Sequence, residues 1–358
     1  MEERGHRRFA GELARFAARH ADPGLTAVAE RAAAPLRVAV RGRPGVGRAT
    51  VARALARAGG PAGLAVQAAG PDSDVLLYVT AEVVKPEDAD AIAAARPAVV
   101  AVLNKADLTG SLSGRTGEPP TVAARARCAK LSALLGEPVE PMIGPLAVAA
   151  LDGLDRQTWA ALRVLADHPS GAASLDGSFA GFLSADNPVP ADVRVRLLDT
   201  LDLFGVALGM AAVRRGRTPA QLRALLRRVS GIDAVLGRVA AAGAEPGYRR
   251  VLDAVVELEA LAAADRRLAG PICAFLSSDD AVLARMAAAA AMAEAAGLDP
   301  LAPAGHLSRA LRWQRYGRAS AGELRRACGA DIVRGSLRLW TQTRRSLPGE
   351  TPLPKETL

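Results

Sequence analysis

The stretch LRVAVRGRPGVGRAT, Leu36 to Thr50, decides how the rest of the chain reads. Leu36-Arg37-Val38-Ala39-Val40 has the length and alternate β-branching of a short buried strand. A turn carrying Gly42, Gly45 and Gly47 follows, and Val51 to Ala56 resumes with a helical pattern. Strand, glycine-rich turn and helix, in that order, is the setting of a phosphate-binding loop. Glycines let the backbone curl so that successive N–H groups face an anion, with the positive end of the helix dipole behind them. The spacing G-x-x-x-x-G runs from Gly42 to Gly47 through Pro44, Gly45 and Val46. A tight strand-to-helix turn that holds no ligand fits the same spacing.

The next positions depart from that loop. Where it carries Lys and then Ser or Thr, this chain has Arg48 and Ala49, with Thr50 one residue late. Lysine reaches the β- and γ-phosphates as a compact charge and the hydroxyl ligates Mg²⁺. Arg48 offers a wider planar fork, and Ala49 offers a metal nothing. The expected contacts are therefore Gly42, Pro44, Gly45, Val46, Gly47, Arg48, Ala49 and Thr50, without Mg²⁺ unless a shifted loop makes Thr50 its ligand.

A second motif lies downstream. The apolar run Ala98-Val99-Val100-Ala101-Val102-Leu103 suits a strand covered on both faces, and it ends in Asn104-Lys105-Ala106-Asp107. In the pattern N-K-x-D the carboxylate accepts from guanine N1–H and the 2-amino group, the Asn braces the glycine loop, and the Lys stem covers the base. Adenine lacks that donor pair. An ordinary polar loop after a strand would also read NKAD, but its place after the glycine-rich turn makes guanine recognition the sharper expectation.

Other segments expected of such a domain are reduced. From Thr50 to Asp74 there is room for one helix and one strand, around Leu64-Ala65-Val66, before the strand Asp74 to Val79. The D-x-x-G position, whose carboxylate orients Mg²⁺, aligns with Gln67-Ala68-Ala69-Gly70. The base-cradling position falls at Ile143-Gly144-Pro145-Leu146, another departure. No catalytic residue is expected.

The chain has 358 residues, of which 50% are apolar and only 3% aromatic, so its core must come mainly from Leu, Val and Ala. Its net charge of +9 is carried chiefly by Arg. That surplus suits an anionic surface, though an Ala- and Arg-rich bias explains it equally well; nucleic-acid binding is not expected. Cys128, Cys273 and Cys328 are scattered, as are the four histidines, and form no metal or disulfide pattern. With no apolar signal core at the N-terminus and no candidate membrane run longer than the eleven uncharged residues Leu203 to Val213, a cytoplasmic protein is expected.

Residues 6 to 20 read as an amphipathic helix with Phe9, Leu13 and Phe16 on one stripe, broken at Asp22-Pro23-Gly24 before a second helix over 25 to 33. A helix is expected near Pro86, a polar loop over Thr109 to Pro120, a helix over 121 to 135, a strand over Val139 to Ile143, and a closing helix over Asp152 to Ala166. Residues 168 to 190 suit a domain boundary. Helical stripes follow throughout: Leu197, Leu201, Phe204 and Leu208; Leu222, Leu225, Leu226 and Val229 after Thr218-Pro219; Ile232, Val235, Leu236 and Val239.

With GRPGVGRAT, NKAD and the segment DLFGVALGMAAVRRGRTPAQLRALLRRVSGIDAVL, the chain resembles bacterial dynamin-like GTPases of the actinobacterial type over residues 36 to 260. The resemblance implies an α/β fold, a reduced P-loop (Ras-like) parallel-sheet domain over 35–168. Helices over 1–34 would pack on a helical bundle over 185–346, with a flexible tail at 347–358. It also implies GTP or GDP as ligand, a protein partner such as an active GTPase paralogue, and peripheral contact with the inner face of the membrane. Because the metal positions are lost, the expected member is degenerate: a regulatory subunit that binds guanine nucleotide weakly or not at all. The alternatives are an active GTPase using Thr50, and a basic protein binding anionic lipid or nucleic acid.

Overall fold

The computed structural model describes residues 5–61, 63–67, 72–110, 118–169, 171, 175 and 178–346. Ala68 to Gly70 of the D-x-x-G position, most of the 109–120 loop and the tail 347–358 lie outside them. The chain divides into two units: residues 35–242, and 1–34 together with 243–358. Among the described residues no helix is long and apolar enough to cross a membrane.

The first unit is an α/β domain. Its strands are β1 (Leu36–Arg41), β2 (Leu64–Gln67), β3 (Val75–Ala81), β4 (Ala98–Asn104) and β5 (Val139–Pro141). All pair in parallel, in the order β2-β1-β3-β4-β5. Successive side chains of a strand point to opposite faces, and both faces are covered. Val38, Val40, Leu77, Val79, Val100 and Val102 pack on one side with α3 (Arg48–Gly59), α6 (Gly144–Asp152) and α11 (Ile232–Ala242). Ala101 and Leu103 pack on the other with Cys128 and Leu131 of α5 (Pro120–Leu135). Each buried Val or Leu contributes about 1.5–3 kcal/mol.

A second layer of the same unit is helical: α7 (Arg156–Asp167), α8 (Phe179–Ser184), α9 (Ala191–Arg214) and α10 (Pro219–Ser230). Gly205 and Gly209 explain the FGVALG phrase as a close approach. A Cβ at Gly205 would lie 2.4 Å from Leu146 Cδ2, and one at Gly209 would lie 2.8 Å from Leu162 Cδ1. Two arginines satisfy helix-end carbonyls: Arg214 Nε donates to Ala166 O at 2.9 Å, and Arg223 Nε to Ala150 O at 2.8 Å.

Several expectations are corrected. The closing helix expected over 152–166 begins at Arg156, because Gly153 and the Asp155 cap, which accepts from Thr158 N at 2.6 Å, separate it from α6, in which Asp152 is the last residue. The second helix starts at Pro23, two residues before the expected 25, with the Asp22 side chain as its cap accepting from Leu25 N at 3.0 Å. The segment 168–190 contains α8, whose Phe182 is fully buried, so that part of it belongs to a core. The span 185–346 is not one bundle: α9 to α11 join the sheet unit, since their apolar stripes pack on α6, α7 and the sheet.

The second unit comprises α1 (Gly5–His20), α2 (Pro23–Ala33), α12 (Ala244–Ala264), α13 (Arg266–Ser277), α14 (Asp279–Ala295), α15 (His306–Ala319), α16 (Glu323–Ser346) and their connections. Phe9 and Phe16 of α1 meet Phe275 of α13, ring centroids 6.1 and 4.6 Å apart. The core also holds a polar centre. Asp331 accepts from Tyr248 Oη at 2.8 Å, from Arg285 at 2.8 Å and from Arg334.

Candidate functional site

In the order β2-β1-β3-β4-β5 the chain leaves β1 toward one edge and β3 toward the other. Such a reversal leaves a crevice outside the carboxyl ends of β1 and β3, the usual ligand position in open α/β sheets. The glycine-rich turn lies there, and NKAD ends the next strand along.

Gly42, Gly45 and Gly47 all have positive φ, at 146°, 83° and 86°. A Cβ at Gly47 would sit 2.4 Å from Asn104 Nδ2, so this position is closed to any side chain. Gly47 is also the N-cap of α3 and supplies no side-chain cap, which leaves first-turn N–H groups without the usual side-chain acceptor. Val46 is buried; Pro44, Gly45, Arg48 and Ala49 are exposed.

Asn104 ties the loop down. Its Nδ2 donates to Val46 O at 2.8 Å, and its Oδ1 accepts from Gly144 N at 3.0 Å, so one amide joins the turn after β1 to the start of α6. Thr50 Cγ2 lies 3.1 Å from the position a Cβ would take on Gly144 and so faces that junction.

Two features were not anticipated. The first is a brace on Arg43. Its Nε donates to both oxygens of Asp88, at 3.0 and 2.9 Å, and its guanidinium also reaches Val83 O at 3.1 Å. Asp88, at the start of α4 (Pro86–Ala93), further accepts from Tyr78 Oη at 2.8 Å and Lys85 N at 2.9 Å. Burial and the bond to Asp88 push the Tyr78 phenol up to about 12. The sequence showed Asp88 only as an early helix acid, and nothing local pairs it with a residue 45 positions away.

The second is Asp202. It sits inside α9 with φ 58° and ψ 174°, a backbone region that essentially only glycine occupies. Its carboxylate accepts from Leu203 N at 2.7 Å. Leu201 and Leu203 share an apolar cluster with Ala106, which brings this part of α9 to the NKAD turn. Burial raises the Asp202 carboxyl, opposed by the Leu203 N–H and by Lys105. Lys105 itself is exposed and left-handed, at φ 56°. Asp107 is 6% exposed. Its carboxyl is pushed up to about 6, first by burial and then by the Asp202 charge, against its own backbone N–H and Lys105.

The turn therefore gathers Gly42 to Thr50, Asn104, Lys105 and Asp107 at one end of the sheet, with Asp202 beside the acidic position. No protein-family model, no curated protein and no solved structure matches the chain.

Proposed function

We propose that the sheet unit binds a guanine nucleotide weakly and acts as a regulatory or partner subunit, in the manner of a degenerate dynamin-like GTPase. The observation that carries this reading is the Asn104 amide, bonded to the glycine turn on one side and to Gly144 on the other at the switch point of the sheet. An ordinary strand-to-helix turn has no need of a buried cross-brace to the end of another strand. The phosphates would lie on the N–H groups of the turn and the exposed Arg48, since Arg43 is engaged by Asp88. The base edge would meet Asp107, with Lys105 over its face.

Turnover is not part of the proposal. Phosphoryl transfer depends on positioning and on Mg²⁺ between the β- and γ-oxygens. Ala49 supplies no ligand, Gln67 replaces the orienting carboxylate, and the Thr50 methyl faces Gly144.

Isothermal titration with GDP, GTP and ATP, each with Mg²⁺ and with EDTA, tests the reading. The expected result is a preference for guanine of about tenfold or more, or 1.4 kcal/mol, unaffected by Mg²⁺ and without hydrolysis. Equal binding of ATP and GTP, or of neither at millimolar concentration, refutes the guanine assignment. Turnover abolished by EDTA and by Thr50→Ala would establish the active alternative instead.

A further inference from the structure

A cavity of about 580 Å³ opens beside β5, and none of the glycine-turn residues, nor Asn104, Lys105 or Asp107, lines it. One wall is α5, which presents Thr121, Ala124, Arg125 and Cys128 along a single face. The other is the α10–α11 junction, and β5 is the floor. That junction is pinned to the sheet edge: Ile143 N–H donates to Ser230 O at 2.9 Å, and a Cβ on Gly231 would lie 2.2 Å from Pro141 O. Small residues on both walls, Ala124 and Ala234 among them, leave the space between unfilled.

The charges around it do not balance. Glu140 is held by Arg238 at 2.7 Å, and Asp233 by Arg227 at 2.8 Å. Both carboxylates at the cavity thus already have a cation. Arg125 and Arg228 also line it, and neither has a hydrogen-bond or ion-pair partner among the described residues. Two unengaged arginines, both exposed, thus share the cavity lining with the apolar Ala124, Cys128, Val139 and Ile143. The volume lies within the roughly 300–1,000 Å³ of small-molecule sites.

We propose that this cavity binds a small amphiphilic organic anion, its apolar body on the α5–β5 floor and its carboxylate, phosphate or sulfonate between Arg125 and Arg228. Guanidinium forks hold such oxygens through charge-assisted hydrogen bonds, and the apolar lining selects against inorganic anions. The proposal does not rest on the nucleotide reading, although Ala106 of the NKAD turn is part of the lining.

Anilinonaphthalene sulfonate is a suitable probe, because its fluorescence reports an apolar environment and its sulfonate tests the arginines. The folded full chain is expected to bind it one to one. Arg125→Ala with Arg228→Ala should weaken binding about tenfold or more, whereas the uncharged N-phenylnaphthylamine should change less than about twofold. Arg125→Lys with Arg228→Lys should recover part of the loss. Ala234→Trp should fill the space and remove both probes, with circular dichroism confirming that each variant is folded. Sub-micellar octanoate should displace the sulfonate. Failure of the wild-type chain to bind, unchanged affinity in the double alanine variant or in Ala234→Trp, or displacement only by anionic lipid vesicles would overturn the proposal.

Discussion

Three buried aspartates, two in the sheet unit and one in the helical unit, differ in how their charge is met. Asp331, 2% exposed in the helical core, has Tyr248, Arg285 and Arg334 around it. Asp88, 1% exposed in the sheet unit, has Arg43, Tyr78 and a backbone N–H. Asp107 is nearly as buried and, among the described residues, has no such cation bonded to it, only the influence of Lys105. Burial with partners fastens elements together; burial without a cation raises the carboxyl and favours its protonated form until a donor or cation meets it. Strongly perturbed buried acids gather at functional sites for this reason, and Asp107 follows the carboxyl end of β4, the side on which open α/β sheets in general take ligands.

Substitutions can break this comparison. The largest effect is expected from Asp331→Ala, which strands Arg285 and the Tyr248 hydroxyl inside the bundle. Loss of one member of a buried pair is worth about 3–5 kcal/mol, so urea titration should show the helical unit unfolding far earlier. A change under about 1 kcal/mol would mean that the cluster behaves as a surface ion pair.

Asp88→Ala should weaken the sheet unit by about 3 kcal/mol, somewhat less because the Arg43 side chain is 22% exposed and can re-solvate. It should also free the glycine turn, which limited proteolysis near Arg43 would detect. Equal proteolysis of variant and wild type would confine Asp88 to packing.

Asp107→Asn should act with the opposite sign. The native carboxyl titrates near 6, above its ordinary value of 3.8. Between those values the native state holds more protons than the unfolded one, so stability falls as pH rises through that window and stays lower above it. Removing the charge should therefore stabilise the unliganded protein at pH 8 by at most about 3 kcal/mol, and give little at pH 3. Thermal melts across pH check the sign; a variant that melts lower at pH 8 would mean the carboxylate has an internal partner after all. If Asp107 reads the base, guanine affinity should rise as pH rises through about 6, and the Asn variant should shift preference toward xanthine.

The smallest effect is expected at Asp202. Glycine fits its φ of 58° and ψ of 174° without a side-chain penalty, so Asp202→Gly should raise stability by about 1 kcal/mol. Removing that neighbouring charge should also lower the Asp107 titration, which carboxyl NMR would follow. A destabilised variant would make the Leu203 N–H bond more important than the strain.

Much of the sheet was legible along the chain. β1 and β4 declared themselves as apolar runs of the right length, and the strand–glycine–helix order located the turn after β1. The partition after Ala166 was not legible. Leu197, Leu201, Leu222, Val235 and Val239 carry helical periodicity, but periodicity reports that a face is buried and not what buries it. The two glycines of α9, which admit Leu146 and Leu162, decided that these helices belong with the sheet.

The same division runs through the candidate site. By itself the sequence determined the glycine turn, the want of a hydroxyl at Ala49 and of a carboxylate at Gln67, and the Asn and Asp of NKAD, because each depends on residue type at short spacing. Only tertiary structure decided that Asn104 bonds Val46 and Gly144, that Arg43 is taken up by Asp88, and that Asp202 comes to lie beside Asp107. Those facts join positions about 40 to 95 residues apart in the chain. Side-chain hydrogen bonds and charge interactions act over a few ångströms, so they exist only once sheet order and helix packing have brought the partners together.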